Sequence, residues 1–391
     1  MIPYGRQDID ENDIASVLEV LQSDFLTQGP VVPKFEKAVT KKVKVKYAFA
    51  TNSATSALHI SCMALDLGPG DLLWTTPISF VASANCALYC GATVDFIDVD
   101  PFTFNICNIE LEKKLIIAEK CGKLPKIIVV VHLAGQSCDM QSINILSKKF
   151  GFRVIEDASH AIGGKYKDKY IGNCKYSDIT VFSFHPVKII TTAEGGMATT
   201  NKDDIAEKLL LLRSHGITRD KKIMTNKSSG PWYYEQIKLG YNYRMTEIQA
   251  ALGISQMNRL DKFVVRRHEI AKRYDILLND TNVKTPWQSL SSYSSFHLYV
   301  IRIVPDKQNI TRKTVFEEMV QKGIGVNVHY IPIHTQPFYK NMGFKYGDFP
   351  NAEAYYEEAI SLPIHVRLTD DDQDRVVDAL TAALQGRKAR L

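Results

Sequence analysis

The chain has 391 residues, of which 45% are apolar and 23% charged, and a formal net charge of +5. That length supports a substantial core and two domains, or one large domain with a smaller one. The mild charge excludes a nucleic-acid signature, although it suits an anionic small substrate, and no apolar run approaches bilayer length.

The N-terminal run Met1-Ile2-Pro3-Tyr4-Gly5-Arg6-Gln7 lacks the basic-then-apolar order of a signal peptide, so the expected location is cytoplasmic, with no membrane partner. The seven cysteines are odd in number, scattered and without a C-x-x-C pair. That pattern argues against a disulfide framework or a zinc site.

Taken in chain order, short β-branched runs alternate with helical patterns through the first two-thirds, predicting an α/β fold with a mostly parallel sheet between helices. Asn52-Ser53-Ala54-Thr55-Ser56-Ala57-Leu58 follows an apolar run and opens a helical pattern. Leu72 to Thr75 reads as a strand leading into Thr76-Pro77-Ile78-Ser79-Phe80. Lys126 to His132 reads as a buried central strand. Met140 to Phe150 then predicts an amphipathic helix stopped by Gly151, and Phe152 to Glu156 the next strand. Asp157 therefore falls at the carboxyl end of a strand, where open α/β sheets place their ligands.

From Met245 to about Asp280 the spacing predicts one unusually long helical stretch, with the domain junction inside it. Beyond it, His297 to Ile303 reads as strand, and Lys313 to Lys322 and Ala352 to Ser361 as helices. This predicts a smaller α+β domain.

Four places carry chemistry. Small residues at Asn52 to Leu58 leave first-turn amides accessible, and a helix N-terminus favours an anion; the rival reading is an ordinary N-capped helix. Phe80 reads either as a flat surface for a planar ring or as core packing. Asp157 and His160 read as partners of the nitrogen and phenolic oxygen of a pyridine ring, against a metal pair or a capping aspartate with a core histidine. Lys188 sits among Val187, Ile189 and Ile190, where burial lowers an amine's pKa and exposes its nucleophilic form. With Ser183 upstream and Glu194-Gly195-Gly196 downstream, an imine-forming lysine is favoured over a lysine snorkelling from a strand end. An imine-forming lysine and a carboxylate for the pyridinium nitrogen are what pyridoxal phosphate (PLP) chemistry requires.

Asn52 to Leu58, Thr76 to Asn85, Asp157 to Gly163, Phe182 to Gly196 and Gly240 to Gly253 together resemble the DegT-type nucleotide-sugar aminotransferases, a fold-type-I PLP family. The motifs stand in family order and span nearly the whole chain. The resemblance implies a large PLP-binding domain over residues 1–250 with a seven-stranded-type sheet. A small C-terminal α+β domain over 251–391 follows, joined through a long helix.

It also implies roles. Lys188 resembles the Schiff-base lysine, Asp157 the pyridinium partner, His160 the residue at the ring oxygen and Phe80 the stacking residue. Ala54, Thr55, Ser56 and Ser183 resemble phosphate contacts. Asn242 resembles an asparagine that reaches the phosphate in a neighbouring subunit, implying a homodimer with shared active sites. Tyr4, Asp24, Phe25, Leu26, Thr27, His329 and Tyr330 resemble substrate contacts. Pro125 to Gln136 has no residue-by-residue match.

Phe80 and His160 stand where many relatives carry tryptophan or tyrosine, and glutamine. Those choices resemble the subgroup that aminates C4 of a UDP-linked 4-keto-6-deoxy-N-acetylhexosamine with L-glutamate, releasing 2-oxoglutarate. Lysine at 188 argues against the related PLP sugar dehydratases, which carry histidine there, and no spare segment suggests a DNA-binding module. Neither a metal nor a nucleic acid is expected.

Overall fold

The computed structural model describes residues 1–303 and 310–385. Seven strands form the main sheet: β1 (Tyr47–Thr51), β2 (Leu72–Thr75), β3 (Thr93–Phe96), β4 (Ile127–Val131), β5 (Arg153–Asp157), β6 (Ile179–Ser183) and β7 (Gly196–Thr200). Their spatial order is β3-β2-β4-β5-β6-β7-β1. All run parallel except β7, which is antiparallel to both β6 and β1. The mostly parallel reading therefore holds.

The cause is visible in β4, an unbroken β-branched run buried at every position, as expected of a strand covered by helices on both faces. Reversal of β7 has a local consequence. It turns the connection after β6 into a hairpin loop at the carboxyl edge of the parallel strands, and Lys188 lies on that loop.

The helices of the large layer are α1 (Glu11–Leu21), α2 (Val31–Val43), α3 (Ala54–Ala64), α4 (Ala82–Tyr89), α5 (Asn108–Lys120), α6 (Met140–Phe150) and α7 (Asp203–Leu212). Helix α6 occupies the predicted span. Asp139 caps it by accepting from the Ser142 amide, and Gly151 ends it at φ 82, a left-handed conformation that glycine adopts without steric cost.

Two predicted elements differ. The long helix from Met245 is two helices, α8 (Glu247–Met257) and α9 (Leu260–Leu277). No proline or glycine marks the break. Arg259, at the junction, pairs with Asp8 at 2.6 Å and Asp10 at 3.2 Å and also with Asp13. Gln256 Nε2 donates to the Asp8 carbonyl at 2.8 Å. Contacts from the distant N-terminal segment occupy the break, and local periodicity does not register them.

The helix expected over Ala352 to Ser361 stops at Glu358 as α11 (Pro350–Glu358), with α10 (Arg312–Gln321) before it. Its last residues turn extended at Ala359 and pair with Tyr299–Ile303 as a second, antiparallel sheet. Ala359 to Leu362 are all buried there, so sheet pairing and burial outweigh helix propensity.

A separate apolar cluster gathers Ile270, Tyr274, Tyr299, Ile301, Ile360, Val376 and Leu380 around that sheet. Ile2 belongs to it too, bonded through its backbone to Gly323 at 2.9 Å and Gly325 at 2.7 Å. The N-terminal segment is thus tied to the C-terminal region, which brings Tyr4 beside His329. Among the described residues no helix is long and apolar enough to cross a membrane.

Candidate active site

Asp157 closes β5 and is 5% exposed. Its Oδ2 accepts from Ser83 Oγ at 2.6 Å, and its Oδ1 accepts from the amide and hydroxyl of Ser159 at 3.2 and 2.5 Å. Ser79 Oγ stands 2.6 Å from Ser83 Oγ. The carboxylate is thereby held in one orientation by hydroxyls from α4 and from its own turn. Sequence reasoning missed Ser79, Ser83 and Ser159. The four-residue spacing of the first two across a helix start was the available signal.

His160, three residues on, is buried. Its Nδ1 accepts the Ala134 amide at 3.2 Å, so Nε2 carries the proton and donates to the Tyr330 hydroxyl at 3.0 Å. Burial, then the charges of Lys188 and His329, hold its pKa well below the usual imidazole value. His329 is pushed down to about 3 by burial and by Lys188. His297, read from the sequence only as the start of a strand, lies with its ring centroid 4.4 Å from that of His160 and is likewise held neutral, chiefly by burial. Buried Arg267 fixes the backbone there, donating to the carbonyls of Phe296 at 3.0 Å and His297 at 3.2 Å.

Lys188 is the cation that these three imidazoles share. Desolvation brings its amine down to about 8, against an upward pull from Asp157. The Asp157 carboxylate thus lies close enough to Lys188 to act on its amine. The Lys188 loop is clamped at its base, where the Phe184 amide donates to Gly195 O and the Thr192 amide to Phe184 O, both at 2.9 Å. Ile189 and Ile190 are buried beneath it.

The third component is an anion cradle. Ser53 caps α3, accepting the Ser56 amide at 3.1 Å, while Ser56 Oγ donates to Asn52 Oδ1 at 2.6 Å. The first-turn amides of Ala54 and Thr55 precede any intrahelical acceptor. A Cβ on Gly196 would lie 2.5 Å from Ala54 N and from Ser53 C and O, so only glycine lets β7 pass this close. Ser183 pairs with Gly196 in the sheet and reaches the same edge.

Phe80 is 59% exposed, which sets it outside the core, and its ring centroid lies 6.4 Å from that of Tyr330. Tyr4 and His329 continue this wall, their centroids 5.4 Å apart. Lys188, Asp157, His160, Phe80, Tyr330, His329 and Tyr4 thus come together.

The turn Asp24 to Thr27 does not join them within one chain. Its contacts run to the start of α8, where the Glu247 amide donates to Leu26 O at 3.0 Å, and Phe25 is 52% exposed. Asn242 is exposed beside the chain's own cradle, its carbonyl 3.5 Å from Asn52 Nδ2. Among the described residues no cluster of histidine, cysteine or carboxylate is arranged to hold a metal.

A flat aromatic, a neutral N–H donor, a fixed carboxylate, a desolvated amine and a glycine-lined cradle are what a phosphorylated pyridine aldehyde needs, and they fit PLP. Residues 7–381 match the DegT/DnrJ/EryC1/StrS aminotransferase family. The chain belongs to this family. It is therefore a PLP-dependent sugar aminotransferase of the α/β class.

The aminotransferase is 42% identical to an uncharacterized protein of Methanocaldococcus jannaschii, over 97% of this chain and 96% of that one. It is 38% identical to the UDP-4-amino-4,6-dideoxy-N-acetyl-beta-L-altrosamine transaminase of Campylobacter jejuni, over 98% of each. Its fold matches that of Helicobacter pylori PseC, an aminotransferase involved in the biosynthesis of pseudoaminic acid. That match has a TM-score of 0.89 and 34% identity over 98% of this chain and 99% of that one.

Proposed function

We propose that the enzyme moves the amino group of L-glutamate to C4 of UDP-2-acetamido-2,6-dideoxy-β-L-arabino-hex-4-ulose, giving UDP-4-amino-4,6-dideoxy-N-acetyl-β-L-altrosamine for pseudaminic acid biosynthesis. The observation that carries the chemistry is the Asp157 carboxylate at the end of β5, held by Ser83 and Ser159 and close enough to Lys188 to act on its amine. Similarity to the Campylobacter and Helicobacter enzymes supports the choice of sugar.

Bound PLP supplies an electron-accepting ring. The protein's residues do the rest. Lys188, neutral in part near pH 8, takes a proton at Nζ from the amino-donor carbon and returns one at the sugar carbon. Asp157, aligned by Ser83 and Ser159, would pair with the pyridine nitrogen and stabilise positive charge there. His160, whose Nε2 proton is otherwise held by Tyr330, would offer that proton to the ring oxygen. Phe80 covers the ring face. The amides of Ala54 and Thr55, with Ser56 and Ser183, hold the phosphate. Tyr4, His329 and Tyr330 line the sugar side.

Asp24 to Thr27 and Asn242 are exposed on the single chain, which suits them to serve the site of a second copy. The working enzyme in this reading is a homodimer whose sites are shared. Residues 1–250 form its PLP-binding domain and 251–391 the smaller one, and its location is cytoplasmic, in keeping with seven unpaired cysteines.

The test is product mass spectrometry on a panel of UDP- and dTDP-linked 4-keto and 3-keto sugars with glutamate. The UDP-linked L-arabino 4-ulose is expected to be consumed fastest. Preference for a dTDP-linked or 3-keto acceptor would overturn the choice of sugar and leave the transamination standing.

A further inference from the structure

Arg267 on α9 is 2% exposed, and among the described residues no carboxylate pairs with it. Its Nη1 donates instead to three backbone carbonyls, those of Phe296 at 3.0 Å, His297 at 3.2 Å and Ile364 at 3.0 Å. Its Nε has no partner of its own. A buried charge without a counter-ion is costly, and a neutral donor would serve as well for a mere backbone anchor.

The segment that Arg267 holds leads to His160. The Ser295 amide donates to Gly135 O at 3.2 Å and the Leu298 amide to Ala134 O at 3.3 Å. Ser295 Oγ donates to the His160 carbonyl at 2.6 Å. A Cβ on Gly135 would lie 2.3 Å from Ser295 Oγ and 2.9 Å from His160 O, so the three segments meet in direct contact. Ala134 sits at φ 57, a left-handed conformation that a residue with a Cβ keeps only where its surroundings impose it. In that conformation its amide donates to His160 Nδ1 at 3.2 Å. A neutral imidazole has one donor and one acceptor nitrogen, so this bond makes Nε2 the donor.

We propose, resting on the placing of His160 at the ring oxygen of PLP, that Arg267 is a positioning residue for that oxygen. It pins Ser295 to Leu298, this segment holds Ala134 and Gly135, and the Ala134 amide fixes the His160 tautomer. The Arg267 charge acts in the same sense, since it opposes a proton on His297, whose ring lies against that of His160. Lys188, His329 and Tyr330 are the other titratable groups around His160. A donor at the ring oxygen withdraws electron density from the bound cofactor, which therefore gives up its proton at lower pH than it would without the donor.

The test is pH titration of the lysine-dependent absorption band in the PLP-loaded enzyme. Arg267→Lys should raise its midpoint by about one pH unit, the effect of losing one hydrogen bond to a charged acceptor. His160→Phe should raise it as much, and the double variant no further, because both changes act through one donor. Ser295→Ala removes the bond to the His160 carbonyl and should give a smaller rise; it decides the proposal if Arg267→Lys does not fold. In the cofactor-free enzyme, nitrogen NMR should show His160 protonated at Nε2 in wild type and as mixed tautomers in Arg267→Lys. A rise in His160→Phe alone would overturn the role of Arg267 and leave His160 at the ring oxygen. No rise in His160→Phe would overturn both. An added rise in the double variant, or a wild-type His160 protonated at Nδ1, would also sink the proposal, and the latter reading needs no variant.

Discussion

Ser83 donates a 2.6 Å hydrogen bond to the Oδ2 of Asp157, reaching from the second residue of α4 to the end of β5. A hydrogen bond to a charged acceptor contributes about 1.5–3 kcal/mol. Ser83→Ala should therefore free one carboxylate oxygen and weaken PLP retention by about tenfold, since 1.4 kcal/mol is a factor of ten. Equilibrium dialysis of PLP with wild type and variant measures this directly. An unchanged dissociation constant would show that Ser159 alone orients the carboxylate.

Lys188→Ala should abolish transamination and remove the lysine-dependent absorption band of the bound cofactor. The same residue shapes stability with pH. In the cofactor-free enzyme its amine titrates near 8 instead of the ordinary 10.5. Between those values the unfolded chain holds a proton that the native state has lost, so stability rises with pH across this window. Below pH 8 the partly buried, desolvated charge opposes folding. Cofactor-free Lys188→Ala should accordingly be at least as stable as wild type at pH 7, with a flatter pH dependence from 8 to 10. Urea titrations at a series of pH values check both statements.

Gly196→Ala places a methyl group 2.5 Å from the backbone of Ser53 and Ala54. Overpacking of this kind costs about 1–3 kcal/mol. The strain falls on the first turn of α3, so affinity should drop more for PLP than for pyridoxal, which lacks the phosphate. Paired binding isotherms for the two compounds distinguish loss of the cradle from general unfolding.

Tyr330→Phe removes the hydroxyl that receives His160 Nε2–H. A buried donor left unpaired costs about 1–3 kcal/mol. In the loaded enzyme the ring oxygen of PLP would take over as acceptor. The melting temperature should therefore fall more in the cofactor-free form than in the PLP form, and calorimetry of the two forms decides it. Equal losses would mean that His160 stays turned away from the cofactor.

Much of the site was legible because its groups lie at strand ends or in tight turns, where short local patterns carry the information. Asp157 closes the strand-like run Arg153-Val154-Ile155-Glu156, and Lys188 sits between a serine and a double glycine. Phe80 was ambiguous for the opposite reason. Its neighbours in sequence suit burial and exposure equally, and only the fold leaves its ring exposed, with Tyr330 as an aromatic neighbour. His297 carried no local sign, since its place beside His160 depends on Arg267 drawing a distant loop inward.

The residue order by itself determined the alternation of strands and helices, the span of α6 and the chemical groups available for catalysis. These follow from the periodicity of apolar side chains and from turn residues acting over a few positions. Tertiary structure alone decided where the helix after Met245 breaks, that Ala359 to Leu362 become strand, and that three neutral histidines surround one amine. Each of these outcomes depends on partners tens to hundreds of residues away, such as Asp8 for Arg259 and Tyr330 for His160. Burial and pairing between such distant groups outweigh local preference, and no short window of sequence contains both partners.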